Sequence, residues 1–288
     1  MSSGILVIDY WQLLLLGAIA GFTIFLGLPL AVLPHLSPRQ KGFLNALALG
    51  ILIFLIIDVF SESWESTAEG LEEAFTGNAP WDDAFLGFIA FFGGLAIGLI
   101  GLALYERRSM TNNFPEILSL ENIQKGDEHL HQLFHKITAN RLAMMIAIGI
   151  GAHNFSEGLA IGQSYVSGEF ALAILLIIGF GAHNTTEGFG IAGPLTGLIK
   201  RPSTRFLFLL GIVGGGPTFI GTVLGGLWIS EFAFILFLSA AGGALIYVSL
   251  LMYKAGRKQT TNIVLMIGIF IGLSAGLLTD LIIELAGA

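Results

Sequence analysis

Long apolar stretches separated by short polar segments recur along the whole chain. Eight of these stretches are long enough to cross the ~30 Å hydrocarbon core of a bilayer as α-helices. They are Tyr10–Leu33, Phe43–Phe60, Phe85–Tyr105, Leu142–Tyr165, Phe170–Leu195, Phe206–Ile229, Phe232–Tyr253 and Ile263–Leu285. The pattern therefore predicts an all-α polytopic membrane protein, with eight transmembrane helices in a single domain over residues 1–288.

The composition favours the same fold class. Hydrophobic residues make up 55% of the chain and charged residues 11%, whereas a soluble domain carries about 25% charged residues. This apolar surplus exceeds what a core can hold, so it must face lipid. Cysteine is absent, which excludes disulfides and thiolate metal ligands. The net charge is −7 and no basic run occurs, so we expect lipid and no nucleic acid among the partners.

The positive charges fall on alternate connections between the predicted spans. All 13 Lys and Arg residues lie between spans one and two, three and four, five and six, or seven and eight. A wrong number of spans would scatter these residues over both faces of the membrane. The positive-inside rule then predicts that these connections are cytoplasmic and that both termini lie outside.

An acidic segment over residues 61–83 is predicted to lie on the outer face. A stripe at helical spacing runs through Asp58, Glu62, Glu65, Glu69 and Glu72, and an apolar stripe runs opposite it through Trp64, Ala68, Leu71 and Phe75. Span two is therefore predicted to continue beyond the bilayer as an amphipathic helix. Asp58, Glu62 and Asp280 are expected at similar depth, as an entrance that concentrates cations. The alternative is an acidic face that serves only solvation.

One motif occurs twice, as "GAHNFSEG" at Gly151–Gly158 and "GAHNTTEG" at Gly181–Gly188. The His, Asn and Glu of each copy share one helix face, because His and Glu are four residues apart and Asn and Glu three. Spans four and five run antiparallel in the predicted topology. His153 lies twelve residues beyond Arg141, and His183 lies fourteen beyond Glu169. These separations correspond to about 18 and 21 Å, so both copies are predicted near the bilayer midplane, facing each other.

The two copies together carry the chemistry of a metal site. A carboxylate at the centre of a membrane helix costs about 2.5–3.5 kcal/mol on insertion scales, and two neighbouring carboxylates repel each other. A divalent cation removes both penalties. His153, Glu157, His183 and Glu187 form a four-ligand set suited to Zn²⁺ or a similar metal. Asn154 and Asn184, with the same glutamates, form a second and weaker layer of ligands.

Other interpretations of the repeated motif remain open. The polar residues can act as interhelical hydrogen-bonding groups without a metal. A membrane haem or di-metal redox enzyme can use His153 and His183 as ligands, although a haem leaves both glutamates unexplained. An intramembrane metallohydrolase would show the HExxH pattern, which is absent. Two copies at matched depth favour the metal site over these alternatives.

At these residues the chain resembles the ZIP (Zrt/Irt-like) family of metal transporters. The resemblance rests on "HNFSEG" at 153–158 and "HNTTEG" at 183–188, which match the HNxxEG-like motif of the family's fourth and fifth spans. It implies a transporter and not an enzyme, with no organic cofactor, that moves Zn²⁺, or Fe²⁺, Mn²⁺ or Cd²⁺, through the cell membrane into the cytoplasm. It also implies the ligand roles given above and two structural units that move relative to each other. A homodimer is left open.

The resemblance is incomplete in span six. Many family members have a Glu before a Pro there, and this Glu joins the second layer of ligands. Here Gly216 precedes Pro217. The comparison therefore predicts that the second layer lacks one carboxylate.

The longest polar connection spans residues 106–141 and is predicted to be a cytoplasmic loop. It contains His129, His131 and His135. His131 and His135 are four residues apart, so on a helix they can share a metal ion. A solvated amphipathic helix without metal is the alternative.

Overall fold

A computed structural model describes residues 10–32, 37–113, 128–166, 170–227 and 230–285. Eight long helices account for most of these described residues, and no strand occurs among them, so the all-α prediction is confirmed for this part of the chain. The helices are α1 (Tyr10–Phe22, continued by Ile24–Gly27 and the 3-10 turn Leu28–Val32), α2 (Pro38–Thr76), α3 (Trp81–Ala96, the π-helical turn Ile97–Gly101 and Leu102–Asn113), α4 (Glu128–Val166), α5 (Phe170–Ala192, followed by the 3-10 turn Gly193–Gly197), α6 (Thr204–Gly225), α7 (Glu231–Gln259) and α8 (Asn262–Leu285).

Seven of these helices are, within the described residues, long and apolar enough to cross a membrane. This is the architecture of a multi-pass membrane protein. The remaining helix, α5, has 23 residues and carries the second copy of the motif. The total of eight spans therefore stays a prediction.

Helix α2 is a single helix of 39 residues, so span two continues as one helix into the acidic segment, while its position outside the bilayer stays a prediction. At 1.5 Å per residue it is about 58 Å long, nearly twice the hydrocarbon thickness of a bilayer. Ser37 and Gln40 form a capping box at its start, and Gly77 ends it with a φ of 80°.

The predicted apolar stripe of α2 is only partly right. Trp64 and Phe75 are largely exposed, whereas Ser63, Thr67 and Ala74 are buried. The buried positions carry small side chains, which allow close packing. The hydroxyl groups of Ser63 and Thr67 donate to carbonyls four residues earlier in the same helix, so their burial leaves no donor unpaired.

The helices pack into two groups. The first, here called the site unit, consists of α1, α4, α5 and α6, and the second unit consists of α2, α3, α7 and α8. Within each unit, glycines bring backbones into direct contact. A Cβ on Gly158 of α4 would overlap the carbonyl oxygen of Thr218 on α6, and a Cβ on Gly272 of α8 would overlap that of Leu47 on α2.

Contacts between the units are made mainly by side chains. A Cβ placed on Gly149 of α4 would lie 3.4 Å from the Cβ of Ala244 on α7, an ordinary van der Waals distance. The largest hydrophobic cluster contains residues of both units, among them the fully buried Leu52, Ile146 and Leu245. The main core therefore lies at the interface between the units.

Helix ends that carry basic residues meet at one end of the bundle, here called the basic face. Asn45 near the start of α2 donates to the carbonyl of Met252 near the end of α7. Arg141 on α4 donates to the carbonyl of Glu106 on α3. At the opposite end, the acidic face, Tyr165 of α4 donates to Gln12 of α1. These contacts agree with the predicted one-sidedness for α2, α3, α4 and α7, while the side of the membrane to which each face belongs stays a prediction.

The predicted loop 106–141 is helical over much of its length. Helix α3 continues to Asn113, and α4 begins already at Glu128. Residues 114–127 lie outside the described residues. The helical spacing of Leu130, Phe134 and Ile137 allows α4 to extend beyond the apolar segment.

Candidate metal site

Helices α4 and α5 bring the two copies of the motif together. The ring centroids of His153 and His183 are 5.8 Å apart. His153 is 2% exposed, His183 3%, Glu157 6% and Glu187 0%. The two copies therefore form one buried cluster inside the site unit, in the arrangement that the antiparallel topology predicts.

The carboxylates of both copies point toward the imidazoles. Oε1 of Glu157 lies 3.3 Å from Nε2 of His153. Oε1 of Glu187 lies 4.0 Å from Nε2 of His153 and 4.0 Å from Nε2 of His183. Ligand atoms of a tetrahedral Zn²⁺ site stand about 3.3–3.6 Å apart, because each lies about 2.0–2.2 Å from the ion. Small side-chain movements would bring this cluster to that geometry.

Asp58 of α2 adds a carboxylate from the second unit. Its Oδ2 lies 4.0 Å from Nε2 of His153. Ligand atoms of Asp58, His153 and His183 all lie within 4.8 Å of one another, which makes these three side chains a candidate metal-binding group. The sequence analysis predicted Asp58 at the entrance, whereas in the structure Asp58 lies beside both histidines. One feature of the sequence could have indicated this: Asp58 lies inside the apolar span Phe43–Phe60, while the rest of the acidic stripe follows it.

The two asparagines are held by their amide nitrogens. Nδ2 of Asn154 donates to Oε2 of Glu187 at 2.8 Å and to the carbonyl of Gly214 at 3.0 Å. Nδ2 of Asn184 donates to the carbonyl of Ala20 on α1 at 2.9 Å. Asn154 is thus bonded to a glutamate of the proposed second layer, while the amide of Asn184 is bonded to α1.

Unpaired polar atoms concentrate at this cluster. Among the described residues, 13 buried side-chain nitrogen and oxygen atoms have no hydrogen-bond partner. Seven of the 13 belong to the six motif residues: Nδ1 and Nε2 of His153, Nε2 of His183, Oδ1 of Asn154 and Asn184, Oε2 of Glu157 and Oε1 of Glu187. Of these seven, Nε2 of His153 still has a charged neighbour, Oε1 of Glu157 at 3.3 Å. Each unpaired buried group costs about 1–3 kcal/mol. A bound cation would give the carboxylate oxygens and one imidazole nitrogen of each histidine a common partner.

The cluster approaches the acidic face through Asp58. The side chain of Asp58 is 27% exposed, and Glu62, one turn further along α2, is exposed. Asp280 of α8 is half-buried and interacts electrostatically with both. The three predicted entrance residues thus lie close together, with Asp58 as the innermost.

An aromatic ring supports the cluster on the side of α2. The ring centroid of Phe54 lies 5.4 Å from that of His183, and Phe54 is 2% exposed. Gly276 of α8 lies against this ring, where a Cβ would overlap it. The second unit therefore contacts the site through Phe54 as well as through Asp58.

Gly216 does not face the cluster in this structure. A Cβ on Gly216 would have only Ile212 of the same helix within 4 Å. Gly216 shares the face of α6 that carries the exposed residues Leu209, Ile212 and Ile220. The expectation that Gly216 depletes the second layer therefore has no support in this geometry, because a side chain at this position points away from the ligands.

The three histidines of the predicted loop belong to the first turns of α4. His135 is exposed, and the side chains of His129 and His131 lie outside the described part. Their predicted role in metal binding stays a prediction.

The haem alternative stays a hypothesis. A haem iron ligated by His153 and His183 requires its flat porphyrin between the imidazoles. Oε1 of Glu187 lies 4.0 Å from Nε2 of both histidines, so its side chain would have to move away.

No protein-family model and no curated protein matches the sequence. The function therefore has to be argued from the geometry and chemistry of the cluster.

Proposed function

We propose that this protein carries divalent transition-metal ions, above all Zn²⁺, through the cell membrane into the cytoplasm. In this proposal all eight long helices span the membrane and both termini lie outside, as in the ZIP family that the motifs resemble. The observation that carries the proposal is the concentration of unpaired buried atoms on the six motif residues. A structural polar cluster would satisfy its groups internally, whereas a binding site leaves them free for the ion.

The ligand types agree with the proposed substrate. Two imidazoles and several carboxylates suit Zn²⁺, Fe²⁺ and Mn²⁺, and the absence of cysteine removes the strong thiolate site that would retain Zn²⁺ or Cd²⁺. The asparagine oxygens are neutral and bind more weakly. A site with graded ligands allows an ion both to bind and to leave.

The positions of the ligands favour stepwise binding. Asp58, Glu62 and Asp280 attract the cation from the acidic face. Asp58, His153 and His183 are the first group that can hold it, and Glu157 and Glu187 then complete the coordination. Because Asp58 belongs to the second unit, an ion that moves with the site unit has to exchange Asp58 for a glutamate.

The packing is consistent with relative motion of the two units. Backbone contacts at glycines tie the helices within each unit, while side chains at van der Waals distance mediate contacts between units. A side-chain interface can slide or rock more readily than interlocked backbones. A substrate site near the midplane, beside such an interface, is typical of alternating-access transporters.

A second candidate function is that of a membrane redox enzyme. Asp58, His153 and His183 supply two imidazoles and one carboxylate, which is the ligand set of non-haem iron oxygenases. Such enzymes need open coordination positions for oxygen and substrate. Glu157 and Glu187 lie within 4.0 Å of His153 and would fill these positions, so we favour transport.

The purified protein in liposomes that contain a zinc-sensitive dye tests the proposal. We expect uptake of Zn²⁺ by the wild type, competition by Fe²⁺, Mn²⁺ or Cd²⁺, and loss of uptake in Glu157→Ala and in His183→Ala with the folded protein retained. Wild-type uptake in both variants would refute the site. Stoichiometric iron with oxygen consumption and without ion flux would instead support the enzyme.

Replacing Asp58 by Asn is expected to raise the KM for Zn²⁺ roughly tenfold, with the maximal rate changed by no more than about twofold. The substitution removes the charge that captures the ion but leaves the histidines and glutamates of the site unit intact. Initial uptake rates over a range of Zn²⁺ concentrations measure both parameters. Glu69→Gln, an exposed change further along α2, serves as the control. An unchanged KM in Asp58→Asn would exclude a role in capture.

A further inference from the structure

One polar side chain, that of Arg141, joins the two units near the basic face. Nη2 of Arg141 on α4 donates to the carbonyl of Glu106 on α3 at 2.8 Å. The hydroxyl of Tyr247 on α7 donates to the carboxylate of the same Glu106. Arg141 belongs to the site unit, and the other two residues belong to the second unit. Arg141 of the site unit is therefore bonded to the backbone of Glu106, while Tyr247 bonds the Glu106 side chain within the second unit.

The π-helical turn of α3 directly precedes this contact. It spans Ile97–Gly101 and is followed by the segment that carries Glu106. A π turn includes one extra residue, so the segment after it is rotated by about 100° relative to an uninterrupted α-helix. Within this turn, a Cβ on Gly98 would overlap the carbonyl of Ala240 on α7. The turn thus fixes α3 against α7 and sets the direction of Glu106.

The helices are tightly packed between the cluster of ligands and the basic face. Ala143, ten residues before His153 on α4, is 0% exposed, and Ala139 is 7% exposed. Val248 and Met252 of α7 are fully buried in the same hydrophobic cluster. On the acidic face, by contrast, Asp58 is 27% exposed. The helices are therefore densely packed between the cluster and the basic face, and the most exposed candidate ligand, Asp58, lies toward the acidic face.

We propose that Glu106, Arg141 and Tyr247 form a gate that keeps the helices closed between the metal site and the basic face. This inference rests on the proposed transport for its role, but the contact itself is independent of any metal. Release of Arg141 lets the site unit separate from α3 and α7 at this end. The ion then has a path toward the basic face.

Loss of the gate is expected to expose buried positions of α4 at the basic face. The chain has no cysteine, so Ala143→Cys provides a single reporter about 15 Å from His153 along the helix. The metal-free protein in nanodiscs, which leave both faces accessible, is treated with a charged thiol reagent. Labelling should be slow in Ala143→Cys alone and roughly tenfold faster when Tyr247→Phe or Arg141→Gln is added, since each removes a hydrogen bond that involves a charged group.

Matched controls separate the gate from general loosening. Tyr253→Phe removes a hydroxyl from the same helix at an exposed position and should leave the labelling rate unchanged. Ala139→Cys serves as the reporter if Ala143→Cys does not fold. Fast labelling without the gate variants, or equal rates in Tyr247→Phe and Tyr253→Phe, would overturn the gate. If the gate variants are labelled faster but the wild-type protein takes up no Zn²⁺, the proposed function is overturned and the gate is still supported.

Discussion

Replacing Glu187 by Gln is expected to abolish tight metal binding and, at the same time, to raise the thermal stability of the metal-free protein. Glu187 is fully buried, and its Oε1 has no hydrogen-bond partner. A carboxylate in that position is unfavourable without a cation. The amide keeps the shape but carries no charge. Loss of a residue that only supports a ligand lowers metal affinity by about 10–100-fold. Glu187 is itself a proposed ligand, so we expect the affinity for Zn²⁺ to fall by at least about 100-fold.

Thermal unfolding in detergent, with and without Zn²⁺, measures both effects. The metal-free Tm of Glu187→Gln should rise by about 2–4 °C, which corresponds to about 1 kcal/mol for a chain of this size. The shift on addition of Zn²⁺, present in the wild type, should disappear. Glu65→Gln, an exposed change on α2, should keep the wild-type Tm and the Zn²⁺ shift.

The opposite signature would support a purely structural cluster. If His, Asn and Glu serve only as interhelical hydrogen-bonding groups, Glu187→Gln should lower the Tm, since the bond from Asn154 is weakened. Asn45→Ala illustrates that behaviour, because it removes a structural hydrogen bond between α2 and α7. It should lower the Tm but preserve the shift with Zn²⁺. A lower Tm together with an intact shift in Glu187→Gln would therefore contradict the metal site.

Local spacing explains why most of the candidate site was predictable. His153 and Glu157 share a helix face for geometric reasons that hold in any α-helix. The depth of the second copy followed from the alternation of basic connections, which sets α4 and α5 antiparallel. The first inference uses only the period of a helix, and the second adds the distribution of charge along the whole chain.

Features that depend on packing between distant helices could not be predicted in this way. Asp58 meets His153 because α2 packs against the site unit, and nothing in the acidic spacing identifies that neighbour. The amide of Asn184 bonds to Ala20, and Gly216 turns away from the ligands. These directions are set by glycine contacts among α1, α4 and α6, which are tertiary. The π-helical turn before Glu106 likewise has no local signal in the sequence.

A disulfide between the two units is expected to stop transport completely. A Cβ on Gly149 of α4 would lie 3.4 Å from the Cβ of Ala244 on α7, close to the distance of about 3.5–4.5 Å found in disulfides. The double variant Gly149→Cys with Ala244→Cys therefore links the site unit to the second unit with little strain. If the units have to move relative to each other, the oxidised protein cannot carry the ion. A reductant should restore uptake.

A disulfide within one unit provides the matched control. Gly42 of α2 lies beside Thr260, the residue that caps the end of α7, and a Cβ on Gly42 would be 2.7 Å from that of Thr260. The end of a helix can yield by the required distance more readily than its interior. Gly42→Cys with Thr260→Cys should therefore form a bond inside the second unit and retain uptake in both redox states. Equal uptake by the oxidised and reduced forms of the 149–244 pair would exclude relative motion of the units, since a covalent bond across their interface leaves transport possible only through a fixed path.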